Sequence, residues 1–399
     1  MREDEPLEGW LFLVRLIAER GPAPQLRGSE GALGRLAQAI ADQPAGKTNY
    51  GAIRGGTFSP YANVTLGPGE LAEAQRLFLG VWDRGGAGSS FVMEGLLHSI
   101  AMARQPASVP FWQQQLDLSR PRDQSTTRRR TYALAALALL AITEGDTAAY
   151  AALSGALTHP HEQVRALGAF YLAKAYAVAA QPMPAPVAAA LADLATHDRA
   201  FAPRFQARRA LRMLGHKAPL DPPDQVYFLK VQLRGDKATR TIAISTGDML
   251  DDLHYAIQRA FGWDADHLYS FFMSGDRSDR RYEIRCPELD DDWGASIRSI
   301  TIVGKGVEEV IALASSDVAE GADDDDDDDE LYTSNTQIGA LGLVPKHTFI
   351  YFFDYGDSHQ FTVTVLGVEE RTDDGTYPRV VESRGNAPQQ YDGYEDEEP

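Results

Sequence analysis

Asp251-Asp252-Leu253-His254-Tyr255-Ala256-Ile257-Gln258-Arg259-Ala260-Phe261-Gly262-Trp263 decides the reading of the second half of this 399-residue chain. Leu253, Ile257, Ala260 and Phe261 recur at helical spacing, with Met249 and Leu250 one turn earlier. One apolar stripe therefore faces a core while Gln258 and Arg259 face water. Ser245 and Thr246 are the expected N-cap, and Gly262 the expected stop. Upstream, Val226 to Leu233 and Arg240 to Ile244 have strand character, and Arg234-Gly235-Asp236-Lys237 between them reads as a hairpin turn. His267-Leu268 opens the next strand, and a further strand runs from Phe349 into Asp354-Tyr355-Gly356-Asp357. The order strand, strand, helix, strand predicts an α+β domain with a mainly antiparallel sheet over residues 225–390.

Several separated motifs in this region together resemble the plasmid pRiA4b Orf3-like family, whose members include passenger proteins of insertion elements. The matching residues are Tyr227-Phe228-Leu229-Lys230-Val231-Gln232-Leu233, the helix from Leu253-His254 to Phe261-Gly262-Trp263, His267-Leu268, and the strand from Phe349 ending in Asp354-Tyr355-Gly356-Asp357. Tyr377-Pro378-Arg379 falls where the family also carries a tyrosine, a proline and an arginine. The resemblance spans residues 223 to 390 and implies an α+β domain without assigning it an activity. It also shows departures. After the Gly-Asp pair the family carries a tryptophan and, two positions later, a histidine; here those positions hold His359 and Phe361. Near the end, where the family carries cysteines, this chain reads Ala387-Pro388-Gln389-Gln390-Tyr391-Asp392.

Length and composition bound the rest. The chain is too long for one ordinary domain, and 44% hydrophobic residues is the composition of a globular protein. The single cysteine, Cys286, excludes an internal disulfide, and the amino terminus lacks the basic start, apolar run and small-residue cleavage site of a secretory signal. A reducing cytoplasm is the expected location. The longest apolar run, Tyr132 to Ile142, falls well short of the roughly 20 residues that span a bilayer, so no membrane contact is expected.

Charge divides the chain unevenly. Residues 1–222 hold 23 Lys+Arg against 19 Asp+Glu, while residues 223–399 hold 15 against 38. Much of the acidic excess lies in Asp323 to Asp329 with Glu330, and in the tail over residues 391–399. Like-charge repulsion and the lack of apolar residues predict a solvated, disordered insert at about 316–331. An unbroken aspartate run lacks the alternating ligands, central glycine and terminal glutamate of an EF-hand, so no specific calcium site is expected there.

The first half reads as helical. Trp10 to Ala18, Gly31 to Ile40, Pro68 to Trp82, Ser89 to Met102, Thr131 to Ile142, Thr147 to Thr158, Glu162 to Ala179, Pro186 to Ala195 and Phe201 to Leu214 have helix-forming composition or apolar spacing near 3.6. A theme beginning at His159-Pro160 and running through Val164-Arg165-Ala166-Leu167 returns near His197, in Phe205-Gln206-Ala207-Arg208-Arg209-Ala210-Leu211. This spacing is similar to HEAT-like repeats, in which stacked helix pairs bury each other's apolar faces. An irregular helical bundle is the competing reading. The expected organisation is a HEAT-like scaffold over 1–218, with an irregular connection at 41–67, a proline-rich linker at 219–224 and then the α+β domain.

Candidate chemistry is thin. The chain lacks a Gly-rich phosphate loop, a Cys-x-x-Cys pair and a Gly-x-Ser-x-Gly elbow. His254, His267, Asp354, Asp357 and His359 would make a His/Asp metal site able to activate water. The plainer reading has His254 and His267 pinning the helix to the sheet, Asp354 and Asp357 building a turn, and Trp263 anchoring a core. A second cluster, Arg120, Arg122, Arg128, Arg129, Arg130, Arg204, Arg208, Arg209 and Arg212, would serve as a solvated face, an internal dock for acidic segments, or a surface for a protein partner. Phosphates of nucleic acid are disfavoured by the net charge of −19. The sequence thus points to a non-enzymatic binding or scaffold protein with no cofactor and an unidentified protein partner. A metal-dependent hydrolase or nuclease-like protein, or a DNA-binding protein, is the alternative.

Overall fold

A computed structural model describes residues 104–117, 126–289 and 331–391, with scattered helical positions between 71 and 101. The expected helices before residue 71, the irregular connection at 41–67, Arg120, Arg122, nearly all of the acidic insert and the tail after Tyr391 lie outside the described residues. Contacts divide the chain into two compact units between Gly155 and Ala156.

In the first unit a 3-10 turn, Pro106–Ser108, leads into α1, Val109–Asp117. No helix is expected here from the sequence. Trp112 is fully buried, and its indole N–H donates to Ser108 Oγ at 3.0 Å. Helix α2, Thr126–Glu144, is longer than the expected Thr131 to Ile142 and is buried all round from Tyr132 to Ala141, as a helix without a polar face must be. Its Arg130 donates through Nε to Leu116 O at 3.0 Å, satisfying a carbonyl of the last turn of α1. Helix α3, Thr147–Ala156, starts where Asp146 accepts the Ala149 N–H at 2.7 Å. Among the described residues no helix is long and apolar enough to cross a membrane.

The second unit opens with α4 (Glu162–Val178), α5 (Ala185–His197) and α6 (Phe201–Met213), at or near their expected positions. The two similar sequence segments meet here. Arg165 of α4 makes a two-pronged bond to Asp198, at 2.6 and 3.0 Å, while Asp198 Oδ1 accepts the Ala200 N–H at 2.8 Å at the start of α6. Burial opposes the charge on Asp198, but these bonds and the Arg165 and Arg204 charges hold its carboxyl below the usual range.

The sheet follows. Its strands are β1 (Gln225–Leu233), β2 (Thr239–Ser245), β3 (Tyr269–Phe272), β4 (Glu283–Arg285), β5 (Thr348–Phe353), β6 (His359–Glu370) and β7 (Arg379–Arg384), in the order β4-β3-β5-β6-β1-β2-β7. Every neighbouring pair is antiparallel. Gly235, at φ +87°, makes the β1–β2 turn. Helix α7, Leu250–Phe261, stops at the left-handed Gly262. Its N-cap is Met249, whose N–H is taken by the Asp252 carboxylate at 2.8 Å, and not the expected Ser245 or Thr246, which end β2.

The core follows from period-2 alternation. Phe349, Tyr351 and Phe353 of β5, with Phe361, Val363 and Val365 of β6, meet Leu253, Ile257 and Phe261 of α7 on one face. Ile350 and Phe352, with Phe272, form a small cluster of their own, and the Arg277 guanidinium lies 3.5 Å over the Phe352 ring. Helix α6 contributes Phe201 and Phe205 to the main core, where Phe201 stacks on His347 with ring centres 3.8 Å apart.

The expected 219–224 linker falls inside this second unit, and Arg208 shows why. Its guanidinium is 3% exposed and donates to Ala195 O at 3.1 Å, Gly339 O at 2.7 Å and Asp221 Oδ1 at 2.8 Å. Asp221 Oδ2 also accepts from Tyr227 Oη of β1 at 2.7 Å. Gly339 must be glycine: a Cβ there would lie 2.9 Å from the Thr246 carbonyl oxygen. Arg208→Ala would leave Asp221 and two carbonyls underbonded in a buried place. The expected loss is on the order of 3 kcal/mol, read as a lower urea midpoint; an unchanged midpoint contradicts the assignment.

Candidate functional site

His254 lies on α7 and points into the core. Its Nδ1 is 2.7 Å from Tyr351 Oη, which also accepts from Gln258 Nε2 at 2.6 Å. With its acceptor role taken by Gln258, the tyrosine has its own hydrogen to give to a neutral imidazole. The ring stacks on Tyr269, 3.7 Å between centres, and Tyr269 Oη donates to Asp251 Oδ1 at 2.6 Å. Burial pushes the His254 pKa down to about 3 and raises those of Tyr269 and Tyr351. His254 therefore stays neutral at ordinary pH. It is not among the residues that the fold gathers into a potential ligand set.

Asp354, Asp357 and His359 are gathered. Their ligand-bearing atoms lie within 4.8 Å of one another at the β5–β6 turn. The expected turn role holds for Asp354. Its Oδ1 accepts the Gly356 and Asp357 N–H groups at 2.9 and 3.2 Å, and the residue itself takes φ +56°, which aspartate tolerates. Asp354 Oδ2 lies 3.3 Å from Tyr391 Oη and 3.8 Å from His267 Nε2. The His267 side chain is 44% exposed. Asp357 is exposed.

Trp263 closes the inner side of this cluster. Its ring centre is 4.7 Å from that of His359 and 5.3 Å from that of Phe361, and its indole N–H donates to Pro388 O at 2.9 Å. Phe361 is fully buried against Phe261 and Tyr351, so a phenylalanine fits this position. Tyr391 is the one contributor the sequence reading missed. It sits where composition announces only an acidic tail, and no sequence signal marks it.

The arginine candidates divide. Arg129, Arg130 and Arg208 are buried, Arg204 lies 3.6 Å from Asp221, and Arg209 donates to Arg281 O at 2.9 Å. Arg208 in particular is an internal tie and not a face offered to a partner. Arg212 lies in the last turn of α6, and Arg128 in the first turn of α2.

Residues 225–396, the α+β part of this chain, match the model of a family described as plasmid pRiA4b ORF-3-like protein. A solved protein of unknown function, MM3350 from Methanosarcina mazei Go1, is similar at 19% identity over 42% of this chain and 73% of that one, with a TM-score of 0.28. Among curated proteins none matches the chain.

The buried histidines make stability depend on pH. The folded pKa of His254, about 3, lies below the ordinary 6.5, so the unfolded chain takes up the proton first and stability falls as pH drops below 6.5. His347, lowered to about 4 by burial, acts in the same direction. Each contributes up to about 1.4 kcal/mol per pH unit. Urea midpoints measured at several pH values between 7 and 5 are expected to fall less in His254→Gln than in the wild type; equal slopes contradict the buried neutral imidazole.

Proposed function

We propose that this chain is a non-catalytic binding protein that meets its partner through the β5–β6 end of its ORF-3-like domain. The observation that supports this reading is the division of polar groups. His254, the histidine a hydrolytic site would need as a base, is buried, neutral and bonded to Tyr351, whereas His267, Asp357 and Tyr391 stand together at the surface beside Asp354. An outward cluster of carboxylates, imidazole and phenol suits recognition of polar or basic groups on a protein partner. Helices α4 to α6 would be the HEAT-like part of the scaffold, a reading supported by the Arg165–Asp198 bond that joins the two similar segments. A cytoplasmic setting is consistent with Cys286, a buried thiol whose pKa burial pushes up to about 11.

Burial of Arg129, Arg130 and Arg208 argues against a phosphate-binding groove built from them. Capture of the tagged chain from host lysate, with and without nuclease, tests the proposal against a His267→Ala/Asp357→Asn variant. A near-stoichiometric protein that survives nuclease and is lost from the variant is the expected result. Nuclease-sensitive nucleic acid, or a partner held equally by the variant, contradicts it.

A further inference from the structure

We infer that the β5–β6 turn is a site for a divalent first-row transition ion of the zinc class, with Asp354, Asp357 and His359 as its ligands. The inference rests on the reading of this end of the sheet as the binding surface and names one ligand for it. Three donors from a six-residue stretch converge because the turn is fixed from within. Asp354 Oδ1 is spent on the Gly356 and Asp357 N–H groups, and Ser358 N–H bonds back to Asp354 O at 2.7 Å, which brings the start of β6 beside the end of β5. One ligand atom from each of Asp354, Asp357 and His359 then lies within 4.8 Å of the other two.

The spacing is close to what an ion needs. Ligand bonds of about 2.0–2.2 Å place donors roughly 3–4 Å apart around a metal. The observed limit is 4.8 Å. Closing the difference takes a small swing of Asp357, whose side chain is exposed.

A second observation is independent of the carboxylates. His359 Nε2 is shut off from solvent and has no hydrogen-bond partner, although the ring is packed by Trp263 and Phe353. A buried ring nitrogen without a partner is a cost the fold carries, and an ion bound at that nitrogen would offset it. The packing also sets the ring before any ion arrives. His267, 3.8 Å from Asp354 Oδ2, and Tyr391, 3.3 Å from the same oxygen, border the site and would position that carboxylate.

The donor set decides the kind of ion. Two carboxylates and an imidazole match zinc, cobalt or manganese. Magnesium and calcium prefer oxygen ligands and a higher coordination number than three residues supply.

The test is titration of the full chain with zinc, cobalt, magnesium and calcium by calorimetry, with the cobalt visible spectrum as a second readout. Saturable binding of one zinc or cobalt per chain is expected, with a cobalt spectrum that reports nitrogen ligation. His359→Phe and Asp357→Asn should each weaken binding by at least about tenfold, with the thermal midpoint of Asp357→Asn unchanged without metal. Asp357 is exposed, so its variant folds whatever the fate of the other. Zinc that binds no tighter than magnesium, or that binds the variants as well as the wild type, overturns the site and assigns the uptake to acidic residues elsewhere. Partner capture repeated in chelator keeps the two readings apart: a partner still held there stands without the ion, whereas the ion site is judged by the titration alone.

Discussion

A guanidinium buried among two carbonyls and a carboxylate holds the second unit together. Arg208 reaches back to the end of α5, forward to the Ile338–Ala340 turn, and across to Asp221, which in turn is bonded by Tyr227 of β1. An arginine in such a place has no alternative partner in water once the helices close over it. Its five donors therefore dictate where α5, α6 and the 338–340 turn can sit. From that follows the insertion of Phe201 and Phe205 into the sheet's core, and the placing of His347 under Phe201. What composition presents as a helical half followed by a linker is, at this point, one body.

The same logic separates the polar residues of the sheet domain. Around α7 the inward polar side chains bond to one another: His254 to Tyr351, Tyr351 to Gln258, Tyr269 to Asp251. Such groups are fixed in charge and position, which suits architecture and not proton transfer. At the β5–β6 turn the inner oxygen of Asp354 is used by the backbone while the outer one faces His267 and Tyr391. One carboxylate thus joins the fold to the surface cluster.

Much of the sheet domain was legible from the chain because its signals are local. The stripe of Leu253, Ile257 and Phe261, the stop at Gly262, the β1–β2 hairpin and the Asp354-to-Asp357 turn each depend on residues a few positions apart. The misplaced features depend on distance. Nothing near Arg208 reveals that its acceptors lie 13 and 131 residues away, so the basic helix read as a surface. His254 and His359 looked equivalent as potential ligands. Only the sheet decides that one faces Tyr351 and the other Asp354 and Asp357. Trp263 was rightly weighed as a core anchor, since it follows an apolar stripe and a helix stop, whereas Tyr391 gave no local sign of its place beside Asp354.

Native-state hydrogen exchange of the intact chain tests most directly whether helices α4 to α6 belong to the same cooperative body as the sheet. The account predicts that amides of α6, β1 and β5 open together at one common free energy, because Arg208 and Asp221 tie α6 to β1 while Phe201 and Phe205 of α6 share a core with Phe349 and Tyr351 of β5. Protection in α6 that is lost while β1 and β5 stay closed would contradict it and return the boundary to residues 219–224.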